Sequence, residues 1–176
     1  MSETSKIHKA KALKTLNYAI YICSTSRYEL VQKNVAVTDV GGDTIVEILN
    51  NAGQNVLFRK IIADDKALIS QAVQQALITP ELDVAIFSGG TGITPTDVTV
   101  ETVSPFFEKT LPGFGEFFRR ISFDKVGSAA VLSRAVAGIA EGKALFCIPG
   151  SPNAVRTAVE MLILPEAPHI VKHARE

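Results

Sequence analysis

The chain has 176 residues, of which 47% are hydrophobic and 20% are charged, and its formal net charge is zero. This length and apolar content predict one globular domain with a sizeable core. A neutral chain has no global field that would attract nucleic acid or an anionic membrane, and its apolar runs are too short to cross a bilayer, so we expect neither partner. The chain does not open on a charged-then-apolar leader, which predicts a cytoplasmic protein.

Residues 1–16 are predicted to form a basic tail. Few apolar residues stand among the lysines of this stretch, which are Lys6, Lys9, Lys11 and Lys14. Charge of this kind is typical of a solvated segment. The alternative is a helix or arm that docks on a neighbouring subunit, because Ile7, Ala10 and Leu13 recur at helical spacing. Residues 17–176 then form the single domain.

Strand and helix signals alternate over the first half of the chain. Apolar, β-rich runs at 18–23, 56–62 and 84–87 are separated by helix-periodic stretches that begin near Gly41 and Ala67. This order predicts an α/β fold with three layers, in which a mostly parallel central sheet has helices on both faces. Such sheets bind ligands at the carboxyl ends of their strands.

The second half of the chain adds a different connection. Two strand-like runs, 135–140 and 144–148, are joined by Glu141-Gly142-Lys143, which predicts one short antiparallel hairpin. The last strand ends at Pro149, and a final helix is predicted from Asn153 to about Leu164.

A glycine-rich loop follows the strand 84–87. It consists of Ser88, Gly89, Gly90, Thr91 and Gly92, so its backbone amides are open to a ligand and suited to an anion such as phosphate. The loop fits neither the dinucleotide fingerprint G-x-G-x-x-G nor the P-loop G-x-x-x-x-G-K-[ST]. It therefore indicates phosphate binding of another kind.

Asp97, beyond this loop, has two interpretations. Thr94, Pro95 and Asp97 fit the N-cap, first and third positions of a new helix, which makes Asp97 part of a capping box. Alternatively, a carboxylate beside a phosphate site is a ligand for Mg²⁺, which prefers carboxylate and phosphate oxygens.

The cysteines and histidines narrow the chemistry. Cys23 and Cys147 lie in apolar strand-like runs, so we expect buried free thiols, without a structural disulfide or zinc. His8, His169 and His173 lie near the termini, away from the glycine loops, which argues against Ser-His or Cys-His catalysis. The carboxylates, hydroxyls, guanidinium groups and amides of the loops suit phosphoryl or nucleotidyl transfer.

Residues 106–123 contain six of the nine phenylalanines, interleaved with Arg119 and Arg120. Core packing explains most of these rings. Because one helix seldom hides so much aromatic surface against a sheet, we also expect part of it to contact another subunit.

Four motifs together carry a resemblance to a known family. They are Ser88-Gly89-Gly90-Thr91-Gly92 with Asp97, Leu111-Pro112-Gly113-Phe114-Gly115-Glu116, Leu132-Ser133-Arg134-Ala135 and Pro149-Gly150-Ser151-Pro152. In order and spacing they resemble the molybdopterin-binding family of molybdenum cofactor biosynthesis, over about residues 17–164. The likeness is greatest to its single-domain protein B type, which is similar to the molybdopterin adenylyltransferases.

The resemblance implies an activity, substrates and partners. It implies transfer of AMP from MgATP to the phosphate of molybdopterin with release of pyrophosphate, and association into a trimer or hexamer. Other proteins of molybdenum cofactor biosynthesis are implied partners. Asp64 and Asp97 match the two family aspartates that serve nucleotide and metal. The implied phosphate ligands are Ser88 to Gly92, and the implied molybdopterin or anion ligands are Ser24, Ser133, Arg134, Pro149, Gly150 and Ser151.

Three of these residues have simpler structural interpretations. Asp64 precedes a predicted helix and is placed to be its N-cap. Arg134 fits a surface salt bridge as well as a fork-like contact with an anion. Ser151 is placed either to cap the final helix or to donate to a phosphate at that helix N-terminus.

The sequence departs from the family in two loops. Ser24-Thr25-Ser26-Arg27 lacks the acid or asparagine that usually follows the serine, and Asp39-Val40-Gly41-Gly42 has glycine where the family has serine or threonine. The alternative function is a molybdopterin carrier without turnover, which the same fold permits. A pterin-site domain of the competence-damage type is less favoured because such domains are usually fused to more chain. The choices between ATP and GTP, and between molybdenum and tungsten, stay open.

Overall fold

The computed structural model describes residues 15–176. The predicted basic tail therefore lies outside the described residues, apart from Thr15 and Leu16. Leu16 is completely buried in the core, and its amide donates to the side chain of Gln54 at 2.9 Å. The packed part of the chain thus begins at least one residue before the predicted domain.

Six strands form one mixed sheet. They are β1 (Asn17–Cys23), β2 (Asn55–Ile62), β3 (Val84–Ser88), β4 (Lys109–Thr110), β5 (Val136–Ala140) and β6 (Lys143–Ile148). Their order across the sheet is β2-β1-β3-β6-β5-β4. The pairs β1–β2, β1–β3 and β3–β6 are parallel, whereas β5 runs antiparallel to β6 and β4. The mostly parallel sheet and the hairpin are confirmed; the sequence pattern does not predict the two-residue β4.

Helices cover both faces of the sheet. They are α1 (Thr25–Gln32), α2 (Val40–Asn51), α3 (Lys66–Ile78), α4 (Thr99–Val103), α5 (Pro112–Val126), α6 (Pro152–Ala158) and α7 (Leu164–Ala174). Two 3₁₀ turns, Ser104–Phe106 and Gly127–Leu132, and one π turn, Val159–Ile163, complete the regular elements.

Alternation along the strands divides the core into two layers. Tyr18 and Ile20 of β1 join a cluster with residues of α2, α5, α6 and α7, whereas Ala19 and Tyr21 join a second cluster with residues of α3 and α4. Cys23 and Cys147 are buried in the second cluster, as predicted, and both thiols are free. The three-layer prediction is therefore confirmed.

The helix α1 differs from the sequence prediction. Ser24 to Arg27 were assigned to a loop, but α1 begins at Thr25. All eight side chains of α1 remain at least partly exposed, so the helix lacks the apolar stripe from which a sequence pattern is recognised.

The predicted end of the last helix near Leu164 is also wrong. A π turn and then α7 carry the helix on to Ala174, past Pro165 and Pro168. Prolines normally interrupt a helix, but Pro165 directly follows the π turn near the start of α7, and Pro168 lies inside α7. The burial of Ala167 and Val171 in the core stabilises the continuation.

The topology places a crevice beside β1. Both neighbours of β1 in the sheet, β2 and β3, follow it in the chain, so the winding direction reverses there. The carboxyl ends of β1, β2, β3 and β6 lie at one edge of the sheet, which is where doubly wound sheets bind ligands. Within residues 15–176, none of the helices is both long and apolar enough to cross a membrane.

Candidate active site

The glycine-rich loop after β3 packs too closely on its neighbours to accept side chains. Gly89 and Gly90 have φ values of 109° and 61°, a region that favours glycine. A Cβ on Gly89 would collide with the carbonyl oxygen of Cys23. A Cβ on Gly90 would collide with the hydroxyl of Thr99 and would lie 2.8 Å from Oδ1 of Asp64.

Three carbonyl oxygens of the loop accept hydrogen bonds from residues outside it. The amide of Thr99 donates to the oxygen of Gly90 at 3.1 Å, and the amide of Arg134 donates to that of Thr91 at 3.4 Å. Nε of Arg134 donates to the oxygen of Gly92 at 2.6 Å. In a trans peptide the N–H points away from the C=O, so each amide that follows one of these carbonyls points away from the donor that holds that carbonyl. The amide of Gly92 donates to Asp97, so the amides of the loop that suit an anion are the remaining ones.

A cavity of about 310 Å³ opens against this loop. It brings together most of the residues that the sequence assigned to the site. Its lining consists of Gly90, Thr91, Gly92, Asp97, Leu132, Ser133, Pro149 and Gly150. A second cavity of about 500 Å³ also has Ser133 and Pro149 in its lining, together with Ser151. The two cavities therefore adjoin at Ser133 and Pro149.

Asp97 lies in a turn, and the predicted helix start at Thr94 is wrong. The amide of Asp97 donates to the carbonyl of Thr94 at 2.9 Å, and α4 begins only at Thr99. Oδ2 of Asp97 accepts from the amide of Thr94 at 2.8 Å and from its hydroxyl at 2.6 Å. The Thr94 hydroxyl is the main reason why the pKa of Asp97 lies below its ordinary value; the amides of Thr94 and Gly92 and the charge of Arg134 act in the same direction, and burial opposes them.

Asp64 is not the N-cap of the helix that follows it. Asp65 has that role, because its Oδ1 accepts from the amide of Leu68 at 2.9 Å. Oδ2 of Asp64 instead accepts from the amide and the hydroxyl of Thr25, at 2.9 and 3.1 Å. The carboxylate of Asp64 thus joins the end of β2 to the first residue of α1, and capping of α3 is excluded as its role.

The other oxygen of Asp64 is buried beneath the loop. Among residues 15–176, Oδ1 has no hydrogen-bond partner, although burial of an unpaired carboxylate oxygen is costly. It faces Gly90, while Asp97 lies against Gly92, so the two carboxylates flank the two ends of the same short loop.

A carboxylate oxygen without a partner, close to backbone amides and a second carboxylate, fits the ligands that Mg²⁺ takes together with phosphate oxygens. Because Gly90 covers Oδ1, a ligand reaches that atom only if the loop shifts.

Arg134 is already engaged by the protein. Its guanidinium group forms an ion pair with Glu101 and also donates to the carbonyl oxygens of Gly92 and Asp97. The Arg134 hydrogen bond is the main cause that holds the pKa of Glu101 below its ordinary value. Through these contacts Arg134 holds the segment from Gly92 to Asp97 in place. A contact between Arg134 and an anion stays a prediction.

The predicted serines occupy different places around the loop. Ser88 is buried, and its Oγ lies 3.5 Å from the carbonyl oxygen of Pro149. Oγ of Ser24 lies 3.4 Å from that of Ser26. Ser133 accepts from the amide of Ala135 at 3.4 Å. Ser151 is at the N-cap position of α6, but its side chain makes no capping bond within the described structure, so its hydroxyl does not have the capping role.

Sequence reasoning missed Thr25, Glu101 and Lys66. Thr25 fixes Asp64, and Glu101 pairs with Arg134. Glu101 and Lys66 also line a cavity of about 370 Å³ that adjoins the site through Asp97 and Arg134. The position of Thr25 two residues after the end of β1 is a usable signal, since the carboxyl end of β1 belongs to the same edge as the loop. Glu101 lies on α4, whose start was predicted too early, so its direction was not accessible from the sequence.

Fold and site together define a doubly wound α/β domain that carries a glycine-rich loop between two carboxylates at the switch point of its sheet. The chain belongs to the family described as "Probable molybdopterin binding domain", which matches residues 19–169.

Named relatives cover nearly the whole chain. It is 43% identical to molybdenum cofactor biosynthesis protein B of Bacillus cereus, over 93% of each chain. It is 41% identical to the molybdopterin adenylyltransferase of Pyrococcus furiosus, over 96% of this chain and 97% of that protein.

Solved structures agree with this assignment. A crystal structure of a molybdenum cofactor biosynthesis protein B matches with a TM-score of 0.85 at 42% identity, over 94% of this chain and 99% of that one. The tungsten cofactor synthesizing protein MoaB from Pyrococcus furiosus matches with a TM-score of 0.82 at 40% identity, over 94% of this chain and 100% of that one.

Proposed function

We propose that the protein acts in molybdenum cofactor biosynthesis as a molybdopterin adenylyltransferase, a nucleotidyltransferase that moves AMP from ATP to molybdopterin. An oxygen of the molybdopterin phosphate attacks the α-phosphorus of ATP and forms a new P–O–P bond. The bond between the α-phosphorus and the bridging oxygen breaks, and pyrophosphate leaves with that oxygen. The reaction needs no side-chain nucleophile and no net redox change.

The residues of the site have separate tasks in this proposal. The amides of Gly90 and Thr91 offset the negative charge that develops on the α-phosphate. Asp64 and Asp97 would hold Mg²⁺, which when bound screens the triphosphate. Arg134 holds the loop and Asp97 in position relative to each other, because it donates hydrogen bonds to the carbonyl oxygens of Gly92 and Asp97.

The observation that carries the proposal is the unpaired oxygen of Asp64. A carrier that only binds molybdopterin has no need of a buried carboxylate oxygen aimed at a glycine loop. In a transferase, a metal-bound nucleotide would supply the missing partner once the loop shifts. The curated relative from Pyrococcus furiosus is named for the same reaction, at 41% identity.

We place molybdopterin on the side of Ser133, Pro149 and Ser151. The 500 Å³ cavity adjoins the loop at the first two of these residues, which leaves space for a group larger than a phosphate. Ser133 and Ser151 have hydroxyl groups there for a polar ligand. On this arrangement the phosphate of molybdopterin meets the nucleotide at the loop.

The test is pyrophosphate release from purified protein with Mg²⁺ and molybdopterin, compared between ATP and GTP. We expect release with ATP that depends on molybdopterin, and much less with GTP. Faster release with GTP would change the nucleotide but keep the reaction class. Protein that binds molybdopterin and releases no pyrophosphate with either nucleotide would be a carrier.

We also propose self-association as a trimer or hexamer. Exposed apolar side chains on α5 and the following 3₁₀ turn support self-association, because a subunit interface would remove them from water. They are Phe117, Phe123, Val126, Val131 and Leu132. Phe118 is buried, so the aromatic segment divides between core and surface. Light scattering at micromolar concentration should give three or six subunits. A stable monomer would contradict the assembly without excluding the chemistry.

A further inference from the structure

Thr99, the first residue of α4, has a buried hydroxyl group. The side chain is completely buried, and among residues 15–176 its Oγ1 has no oxygen or nitrogen partner for a hydrogen bond. Burial of a hydroxyl without such a partner is costly. The backbone of Thr99 is paired, because its amide donates to the carbonyl oxygen of Gly90 at 3.1 Å. The cost therefore lies in the side chain alone.

The unpaired oxygen of Asp64 is a neighbour of this hydroxyl. A Cβ on Gly90 would collide with Oγ1 of Thr99 and would lie 2.8 Å from Oδ1 of Asp64. Two oxygens that both approach one point are close to each other, and this point is one bond length from the Cα of Gly90. Two buried oxygens that lack an oxygen or nitrogen partner thus face the same small volume beneath the loop.

The thiol of Cys23 occupies the hydrogen of the Thr99 hydroxyl but not its lone pairs. Burial raises the pKa of Cys23 to about 12, and a hydrogen bond with the Thr99 side chain opposes that rise. A hydrogen bond that favours the thiolate is one in which the hydroxyl donates to sulfur. Such a hydroxyl keeps two acceptor lone pairs on its oxygen, and a carboxylate oxygen is an acceptor only. The two neighbouring oxygens are therefore both able to accept.

We propose that the hydroxyl oxygen of Thr99 is a ligand of a divalent cation that it shares with Asp64. Mg²⁺ prefers oxygen ligands, and a serine or threonine hydroxyl binds it in P-loop proteins. A cation satisfies two neighbouring acceptors at once and offsets the charge of the carboxylate. The inference rests on the proposed Mg²⁺ site and adds a residue to it. A bridging water is the alternative partner, and the test separates the two.

The two oxygens are held in place, so only the loop has to move for a cation to reach them. Oδ2 of Asp64 is fixed by the amide and the hydroxyl of Thr25, which leaves Oδ1 facing Gly90. The main chain of Thr99 is fixed at the start of α4. Gly90 covers the volume between the two oxygens without a side chain, so a small shift of its backbone opens that volume.

The test is the binding of Mn²⁺ alone by the full chain, measured through the electron paramagnetic resonance of the free ion. Mn²⁺ takes the same oxygen ligands as Mg²⁺, and without nucleotide or molybdopterin no turnover affects the result. We expect one Mn²⁺ per chain, displaced by Mg²⁺. Thr99→Val should bind it at least about tenfold more weakly, since even the outer partners of a metal site are worth that much. Thr99→Ser keeps the hydroxyl and should bind Mn²⁺ as the wild type does.

Urea denaturation without metal separates this role from a purely structural one. Thr99→Val replaces an unpaired buried hydroxyl by a methyl group, so its unfolding midpoint should not fall. Thr99→Ser removes a buried methyl group and should lower the midpoint. Thr102→Val is the matched control on the same helix, because the Thr102 hydroxyl already donates to the carbonyl oxygen of Val98 at 2.7 Å. Its affinity for Mn²⁺ should equal that of the wild type.

The inference is overturned if the wild type binds no Mn²⁺, or if folded Thr99→Val binds it as tightly as the wild type. A lower unfolding midpoint for Thr99→Val would indicate a hydroxyl paired through buried water and would overturn it equally. Pyrophosphate release by the wild type tests the proposed reaction separately. Mn²⁺ binding that depends on the Thr99 hydroxyl, in a protein that releases no pyrophosphate, would support this inference and contradict the transferase.

Discussion

Thr25 and Asp64 are joined by three hydrogen bonds. The amide and hydroxyl of Thr25 donate to Oδ2 of Asp64 at 2.9 and 3.1 Å, and the amide of Asp64 donates to the Thr25 hydroxyl at 3.0 Å. These bonds fix the carboxylate, so that its other oxygen faces Gly90. The chain thus fixes Asp64 through the amide and the hydroxyl of Thr25.

Replacement of Thr25 by valine should lower turnover while the fold persists. Valine has nearly the shape of threonine but cannot hold Oδ2 through a hydroxyl, and small misplacement of a catalytic group costs up to about a hundredfold in rate. Thr25→Ser keeps the hydroxyl and should restore most of the activity. The measurement is molybdopterin-dependent pyrophosphate release as a function of Mg²⁺ concentration. Equal rates for Thr25→Val and wild type would show that this contact does not position Asp64.

Replacement of Gly90 by alanine should damage the loop. The new Cβ would collide with Thr99 and Asp64 at a positive φ, so we expect a loss of about 1–3 kcal/mol in unfolding free energy, together with lost activity. Gly113→Ala is the matched control, because a Cβ there meets nothing within 4 Å. Urea denaturation compares the two variants. A stable, active Gly90→Ala protein would contradict the close packing of the loop.

Arg134 and Glu101 should contribute unequally to the free energy of unfolding. Glu101→Gln weakens a partly exposed ion pair and should cost less than about 1 kcal/mol. Arg134→Met also removes the donors to Gly92 and Asp97, and unpaired carbonyl oxygens cost about 1–3 kcal/mol. Chemical denaturation of both variants gives the comparison. Equal losses would mean that Arg134 acts only as a surface partner of Glu101.

The pKa of Asp97 should rise when the Thr94 hydroxyl is removed, because that group is the main cause of its lowered value. Carboxyl NMR titration of the wild type and Thr94→Val measures the change; Thr79→Val, a threonine outside the site, is the control. The wild-type carboxyl should titrate below the ordinary value of about 4. An unchanged Asp97 pKa in Thr94→Val would contradict the assignment.

The same shift has a consequence for stability. The folded-state pKa of Asp97 is lowered, so its stabilising contribution is fully present above the ordinary pKa. As the pH falls, the unfolded state takes up its proton first, and the contribution disappears as the pH passes the folded-state pKa. Thr94→Val should therefore lose less stability than the wild type between pH 5 and strongly acidic solution, measured by thermal unfolding.

The sheet and the position of the candidate site could be predicted from the sequence because both follow from local patterns. Short apolar runs such as 84–87 end in polar loops, and parallel strands bring those loops to one edge. The helix α1 could not be predicted, because its side chains are at least partly exposed and carry no periodic signal. The continuation through Pro165 depends on the burial of Val171, which is tertiary packing.

The roles of the two aspartates show where sequence reasoning fails. Asp64 and Asp65 are adjacent and both are suitable N-caps, and only their directions show that Asp65 caps α3. The partner of Asp64 is Thr25, 39 residues away. Thr94 and Asp97 have capping-box spacing, yet the same hydrogen bonds close a turn instead of starting a helix.

Pyrophosphate release by Asp64→Asn and Asp97→Asn at saturating Mg²⁺ tests the central claim most directly. Each change removes a charge with little change of shape, and each should lower turnover on the order of a hundredfold, the scale of single electrostatic stabilisers. The affinity for molybdopterin should change far less. Asp65→Asn is the control, because asparagine caps a helix as well as aspartate does. Wild-type turnover in both Asp64→Asn and Asp97→Asn would contradict the proposed catalytic site.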